Sequence, residues 1–114
     1  MIAKTLLDYL DANLDVPVVM EAPEQITDYV LIDQTGSSRT NHIITTTFAI
    51  QSYGDTLYDA MLLNDEVKDA MVGFAELGEI TRVELQTDYN FTNTATKQYR
   101  WQAVYQITHY LGGF

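Results

Sequence analysis

Residues 55–76 restrict the fold more than any other part of this chain, because their apolar side chains recur with the spacing of one helix face. Leu57, Ala60, Met61, Val67, Met71, Phe74 and Ala75 mostly follow the i, i+3, i+4, i+7 pattern, and Asp59, Asp65, Glu66, Lys68, Asp69 and Glu76 fill the opposite side. Thr56 followed by Asp59 has the spacing of an N-terminal capping box, with Asp where Glu is more usual, and Gly78 supplies a stop. A helix with one apolar stripe needs a surface to cover. Strand-like runs at 29–34 and 42–53 before it, and at 80–87 and 98–110 after it, predict an antiparallel sheet as that surface.

The remaining segments extend this plan. Residues 2–13 predict a second helix with Ile2, Leu6, Leu7, Leu10 and Leu14 inward and Lys4, Asp8 and Asp11 outward, ending before Pro17. Residues 16–20 form a short extended piece whose Pro17 cannot donate a ladder hydrogen bond, which places it at a sheet edge or outside the sheet. Pro23 marks a loop at 21–27. The apolar run Tyr29-Val-Leu-Ile reads as a strand, and Asp33-Gln-Thr-Gly-Ser-Ser as the turn or loop that ends it, kept polar by Arg39 and Asn41 up to His42. From Ile43 the chain alternates, with Ile44, Phe48 and Ile50 on one side and Thr45, Thr47 and Gln51 on the other, and three successive threonines favour strand. Later, Thr81, Val83, Leu85, Thr87 and Tyr89 alternate with Arg82, Glu84, Gln86 and Asp88. Residues 90–97, rich in Asn and Thr, predict a hairpin loop. Tyr99, Trp101, Ala103, Tyr105 and Ile107 then share a face against Arg100, Gln102, Gln106 and Thr108, before a Leu-Gly-Gly-Phe tail. The predicted fold is α+β, a four-stranded antiparallel sheet covered on one face by two helices, in the order α-β-β-β-α-β-β with a short edge strand. Its other face is rich in Thr, Gln and Tyr and is open to water or to another subunit.

With 114 residues, 46% of them apolar, the chain suits a single domain over 1–114 with one core. No apolar run reaches the roughly 18 to 20 residues of a membrane helix, and acids stand near the N-terminus where a signal peptide would be basic and apolar, so a cytosolic protein is expected. Sixteen acids against six bases leave a charge of −10, which argues against adhesion to nucleic acid backbone or to an anionic membrane. All the acids lie within residues 8–88. They make either ordinary solvated helix faces or a functional acidic surface that attracts a basic partner or repels polyanions.

Catalytic patterns lack members. Without cysteine there is no disulfide, thiolate nucleophile or cysteine-based zinc site. His42 and His109 stand far apart outside any HExxH spacing, and neither Gly36 with its serines nor Gly112-Gly113 makes a phosphate loop. The pairs Asp65-Glu66 and Asp8 with Asp11 sit on polar helix faces, where water keeps carboxylates ordinary. Tyr99, Trp101 and Tyr105 would need a basic surround to stack nucleic acid bases, and only Lys97 and Arg100 are near. No catalytic, cofactor or metal site is expected.

In order along the chain, a helix and the Pro-containing acidic segment Glu21-Ala-Pro-Glu precede the strand Tyr29-Val-Leu-Ile-Asp-Gln-Thr-Gly with its Thr-Gly turn. A long strand, Phe48-Ala-Ile-Gln-Ser-Tyr, leads through a Thr to the helix carrying Ala60 and Val67, and Arg100-Trp101-Gln102 opens the last strand as an Arg-aromatic pair. This succession, over residues 2–107, resembles the tail terminator, or tail completion, proteins of long-tailed bacteriophages and prophages. Ser37 stands where that family commonly has a second glycine, Gln34 where it often has a basic residue, and Trp101 where tyrosine is usual. The resemblance implies a virion protein, assembled in the host cytoplasm, that forms a six-fold ring at the head-proximal end of the tail tube. Such a ring ends tube polymerisation and docks the head-tail connector. Its partners would be further copies of itself, the tail tube protein and the connector, with DNA passing through without specific binding and with no membrane partner.

A closed ring needs a heterologous contact on surfaces other than the core face. Thr35, Gly36, Ser37 and Arg39, with Asn90, Phe91, Lys97 and Arg100, are the candidates for subunit or tube contacts. Both segments, 36–41 and 90–97, are expected to be polar loops without apolar anchors that order on assembly. Asp8, Asp11 and Asp15 on one helix and Asp59, Asp65 and Asp69 on the other are the candidates to line the channel. The competing expectation is a small acidic binding or inhibitor module that sequesters a basic partner.

Overall fold

The computed structural model of the chain describes residues 1–110; the predicted tail at 111–114 lies outside the described residues. The elements are α1 (Ile2–Asn13), β1 (Val18–Val19), β2 (Tyr29–Thr40), β3 (Ile43–Gly54), α2 (Leu57–Phe74), β4 (Ile80–Asn90) and β5 (Tyr99–Tyr110). The α+β class holds, with two helices against one sheet. The sheet has five strands in the order β1-β2-β3-β5-β4, one more than expected, and β1 runs parallel to β2 while every other pair is antiparallel. Pro17 explains how β1 joins: it cannot donate, but its carbonyl accepts from the Val30 N–H at 2.9 Å, and Val18 and Val19 then pair with Val30 and Leu31.

Thr56 caps α2 as its spacing predicts, its Oγ1 accepting from the Asp59 N–H at 3.1 Å. The buried stripe of α2 is Ala60, Leu63, Asn64, Val67, Met71 and Phe74, whereas Met61 and Ala75, expected inside, are exposed. The stripe turns slightly because Leu63 and Asn64, rather than Met61, continue the row from Ala60 to Val67 at steps of three and four. In α1, Ile2, Leu6 and Leu10 are buried, and the Tyr9 hydroxyl donates to the Ala70 carbonyl at 2.7 Å while its ring meets Phe74 edge-on at 5.2 Å. Both helices thus close over Val30, Ile32, Phe48, Ile50, Ala103, Tyr105 and Ile107. These sheet residues share one face, as directly opposed partners in an antiparallel ladder must.

Two segments depart from the sequence reading. Residues 33–40, expected as a loop, continue β2, and the chain reverses through Asn41 and His42, whose φ values of 51° and 67° make the two-residue turn typical of hairpins. The extra residue Thr35 is absorbed as a bulge between Gln34 and Gly36, so the strand survives its turn-forming composition by pairing with the threonines of β3. Along β4, two register shifts, between Ile80 and Arg82 and between Leu85 and Thr87, change which side chains share a face. Val83 and Leu85 point to the helices, but Thr87 and Tyr89 do not; Asp88 takes the helix side opposite Ala103.

Candidate functional site

The contact candidates fall at opposite ends of the sheet. Thr35, Gly36, Ser37 and Arg39 lie on the outer half of β2, which is exposed from Asp33 to Thr40 and paired only with β3, because β1 reaches no further than Leu31. They form a sheet edge, which corrects their expected place on a loop. At the other end, Asn90, Phe91, Lys97 and Arg100 gather around the β4–β5 connection. Arg100 lies over the Phe91 ring at 4.4 Å, its Nε donates to the Phe91 carbonyl at 2.6 Å, and the Phe91 N–H donates to the Arg100 carbonyl at 3.0 Å. Asn90 pairs with Trp101, and its Oδ1 accepts from the Thr92 N–H at 3.0 Å. Asn93 and Gln98 exchange backbone bonds at 3.1 and 3.2 Å, and Lys97, at φ 54°, makes the turn between them. The connection is therefore anchored by Phe91, contrary to the expectation of a polar loop without one.

Arg100 also begins a strip of side chains across the sheet face away from the helices. Its Nη1 donates to the Tyr53 hydroxyl at 3.1 Å, Tyr53 donates to Gln51 Oε1 at 2.7 Å, and Gln51 Nε2 donates to Gln102 Oε1 at 2.8 Å. Gln102 Nε2 in turn donates to the Tyr89 hydroxyl. This chain of donors and acceptors crosses three strands, and Tyr29 ties in β2 by stacking on Tyr53 with ring centroids 4.3 Å apart. Burial is the main reason the Tyr29 hydroxyl is pushed up to about 12, followed by its proximity to Tyr53, so it stays protonated. Beside this pair, Pro23, Glu24, Asp55, Lys97 and Tyr99 help to enclose a cavity of about 290 Å³. Each group in the strip is oriented by a neighbour, and Tyr53, Gln51 and Gln102 are themselves buried, so the result is a fixed polar layer that reaches the surface at the half-buried Arg100 guanidinium and the exposed Tyr89. The Thr/Gln/Tyr character of the face was legible from alternation; the strip itself depends on which residues meet across strands.

All six candidate channel acids lie on the helical layer or at its end. Asp8 pairs with Lys4 at 2.8 Å and Asp65 with Lys68 at 3.5 Å, both on the surface. Asp15 and Asp69 flank, with Glu66, a cleft of about 360 Å³ between the end of α1 and α2. Asp59 sits in the first turn of α2, where its charge complements the helix dipole. The two acidic faces, separate in the sequence, thus share one side of the molecule. Among the described residues no group of three or more His, Asp and Glu side chains is placed to hold a metal ion.

Asp88 behaves differently from these acids. The second β4 bulge turns it under α2, where it accepts from Lys68 Nζ at 2.6 Å, from Asn64 Nδ2 at 2.9 Å and from Trp101 Nε1. Burial pushes its carboxyl up, but the bonds from Lys68, Trp101 and Asn64 together outweigh burial and hold it below the usual carboxylate value. Next to this cluster the helical layer stops short of β4, and Met71, Val72, Ala75, Val83, Leu85 and Tyr105 line an open apolar groove of about 420 Å³. Neither a protein-family model nor a curated protein gives a significant match to this chain.

Proposed function

We propose that the protein is a structural subunit of a phage tail that assembles as a six-fold ring at the head-proximal end of the tail tube, ends tube polymerisation and joins the tail to the head connector. The proposal starts from the order of motifs along residues 2–107. The observation that carries it further is the separation of surfaces: six of the acids on the helical layer, a fixed, largely uncharged polar layer on the opposite sheet face, and unpaired strand edges at both sides. A ring subunit needs such unlike surfaces, because a heterologous contact joins two different patches and leaves a third for the channel. An acidic channel wall repels DNA and lets it pass without sticking.

Light scattering of the purified chain, with and without tail tubes, tests the proposal: a ring mass, alone or on tubes, is expected, and tails assembled without the protein should carry overgrown tubes. The gathering of acids on one side also favours the second reading, an acidic module that captures a basic partner. That module would form a one-to-one complex with a basic protein and ignore tubes.

A further inference from the structure

Apart from the outer side of the two-residue β1, the free half of β2 and β4 are the unpaired edges of the sheet among the described residues, and residues 33–39 of β2 match residues 80–87 of β4, while Tyr89 and Asn90 come level with Leu31 and Val30, which β1 covers. Following the pairings across the sheet, Arg39 stands level with Ile80, Ser38 with Arg82, Ser37 with Val83, Gly36 with Glu84 and Asp33 with Thr87. β2 and β4 also run in opposite directions, since three antiparallel steps separate them. A second copy placed beside the first in the same orientation therefore presents β4 antiparallel to β2 at the same level, with no flip of either subunit.

We propose that residues 33–40 of β2 are paired by β4 of a second copy of this chain, in a heterologous sheet contact; this rests on the ring reading above and specifies the contact that closes the ring. Size complementarity favours it over a symmetric contact. Gly36, Ser37 and Ser38 carry the smallest side chains of β2, and they come level with the Arg82–Glu84 ion pair and Val83, which flank the edge on β4. Pairing β2 with another β2 would set small against small, and pairing β4 with another β4 would crowd two ion pairs and four bulges. The bulges also agree with this match: the unbroken runs, after Thr35 on β2 and between the two shifts on β4, fall at the same level.

Proline tests the edge directly. Thr40 and Ile43 flank the two-residue turn and bond to each other, so Ser38 faces β3 and the N–H groups of Ser37 and Arg39 point outward. Ser37→Pro removes one outward donor and no ladder bond within the subunit, whereas Ser38→Pro breaks the hairpin. Light scattering of Ser37→Pro should give 12.9 kDa, the mass of one chain, at an unchanged melting temperature, while the parent assembles. Because the chain has no cysteine, Ser38→Cys combined with Arg82→Cys supplies an independent readout. Oxidation should give a covalent ladder ending at the ring mass, and neither single variant should cross-link. An assembled Ser37→Pro, a double variant that forms no ladder, or dimers from Ser38→Cys alone would each overturn the edge contact and leave the ring reading standing. A parent chain that stays at 12.9 kDa even on tubes would overturn both.

Discussion

Replacing Asp88 with Ala should cost the fold about 2 to 3 kcal/mol, because three donors lose their acceptor at once. Trp101 Nε1 and the buried Asn64 amide each lose a bond to a charged group, worth about 1 kcal/mol or more apiece. The Lys68 contribution is smaller, about 0.5 to 1 kcal/mol, since that side chain is 31% exposed and can return to water. For a chain of this length, about 4 °C per kcal/mol converts the sum to a fall in melting temperature of roughly 8 to 12 °C. Asp88→Asn, which keeps one acceptor oxygen and loses the charge, should fall between Asp88→Ala and the parent. The pH dependence follows from the direction of the shift. A carboxyl held below its ordinary value of 3.8 stabilises the fold at every pH above that value, and the stabilisation is lost as pH falls through its lowered folded pKa. The gap between parent and Asp88→Ala should therefore be constant from pH 5 to 8 and shrink in acid. Lys68, raised above 10.5 chiefly by the bond to Asp88, contributes stability that is complete below that value and is lost as pH rises through its raised folded pKa. Calorimetry across this range decides the matter; an Asp88→Ala melting temperature within 2 °C of the parent, or a gap that persists undiminished at low pH, would refute the reasoning.

Other variants probe separate parts of the structure. A Cβ at Gly54 would stand 2.7 Å from the Ala60 nitrogen and 2.8 Å from Asp59 Cβ, in the first turn of α2, so Gly54→Ala should destabilise by about 2 kcal/mol in thermal melts, while Gly36→Ala, with nothing within 4 Å, should be neutral within about 0.5 kcal/mol. Among the described residues the buried Ser52 hydroxyl has no hydrogen-bond partner, and Ser52→Ala should raise stability by about 1 kcal/mol in urea denaturation. Met71 is 2% exposed under α2, and Met71→Asp should unfold the domain by circular dichroism; a soluble variant with an unchanged melt would contradict the packing of helix on sheet. On the proposed ring reading, changing Asp8, Asp11, Asp15, Asp65 and Asp69 together to Asn should leave folding nearly intact yet slow DNA ejection at low salt, and normal ejection would count against an acidic channel wall.

Periodicity made α1 and α2 legible because each buries one stripe, and alternation marked the two faces of β3 and β5, although Ala49, Gln51 and Tyr53 on the face of β3 away from the helices are buried as well. The outer half of β2 has neither: residues 33–40 are exposed on both faces, so no alternation marks them as a strand, and Asp33-Gln-Thr-Gly-Ser-Ser has the composition of a turn. What makes them a strand is a partner distant in sequence. The threonines of β3 extend that hairpin past the point where the core ends, and Asn41 accepts the left-handed turn that closes it. β4 misleads for a related reason, since each bulge reverses the parity on which a two-residue period depends, and no residue type in Leu85-Gln-Thr announces the second one. That reversal sends Asp88 inward to hold α2 and leaves Thr87 and Tyr89 for the open face. The same two irregular strands are the edges of the sheet. An edge strand is freed from the demands of the core on at least one side, so its sequence can serve pairing, and a segment that reads poorly as part of one subunit is where a contact between subunits has room to be encoded.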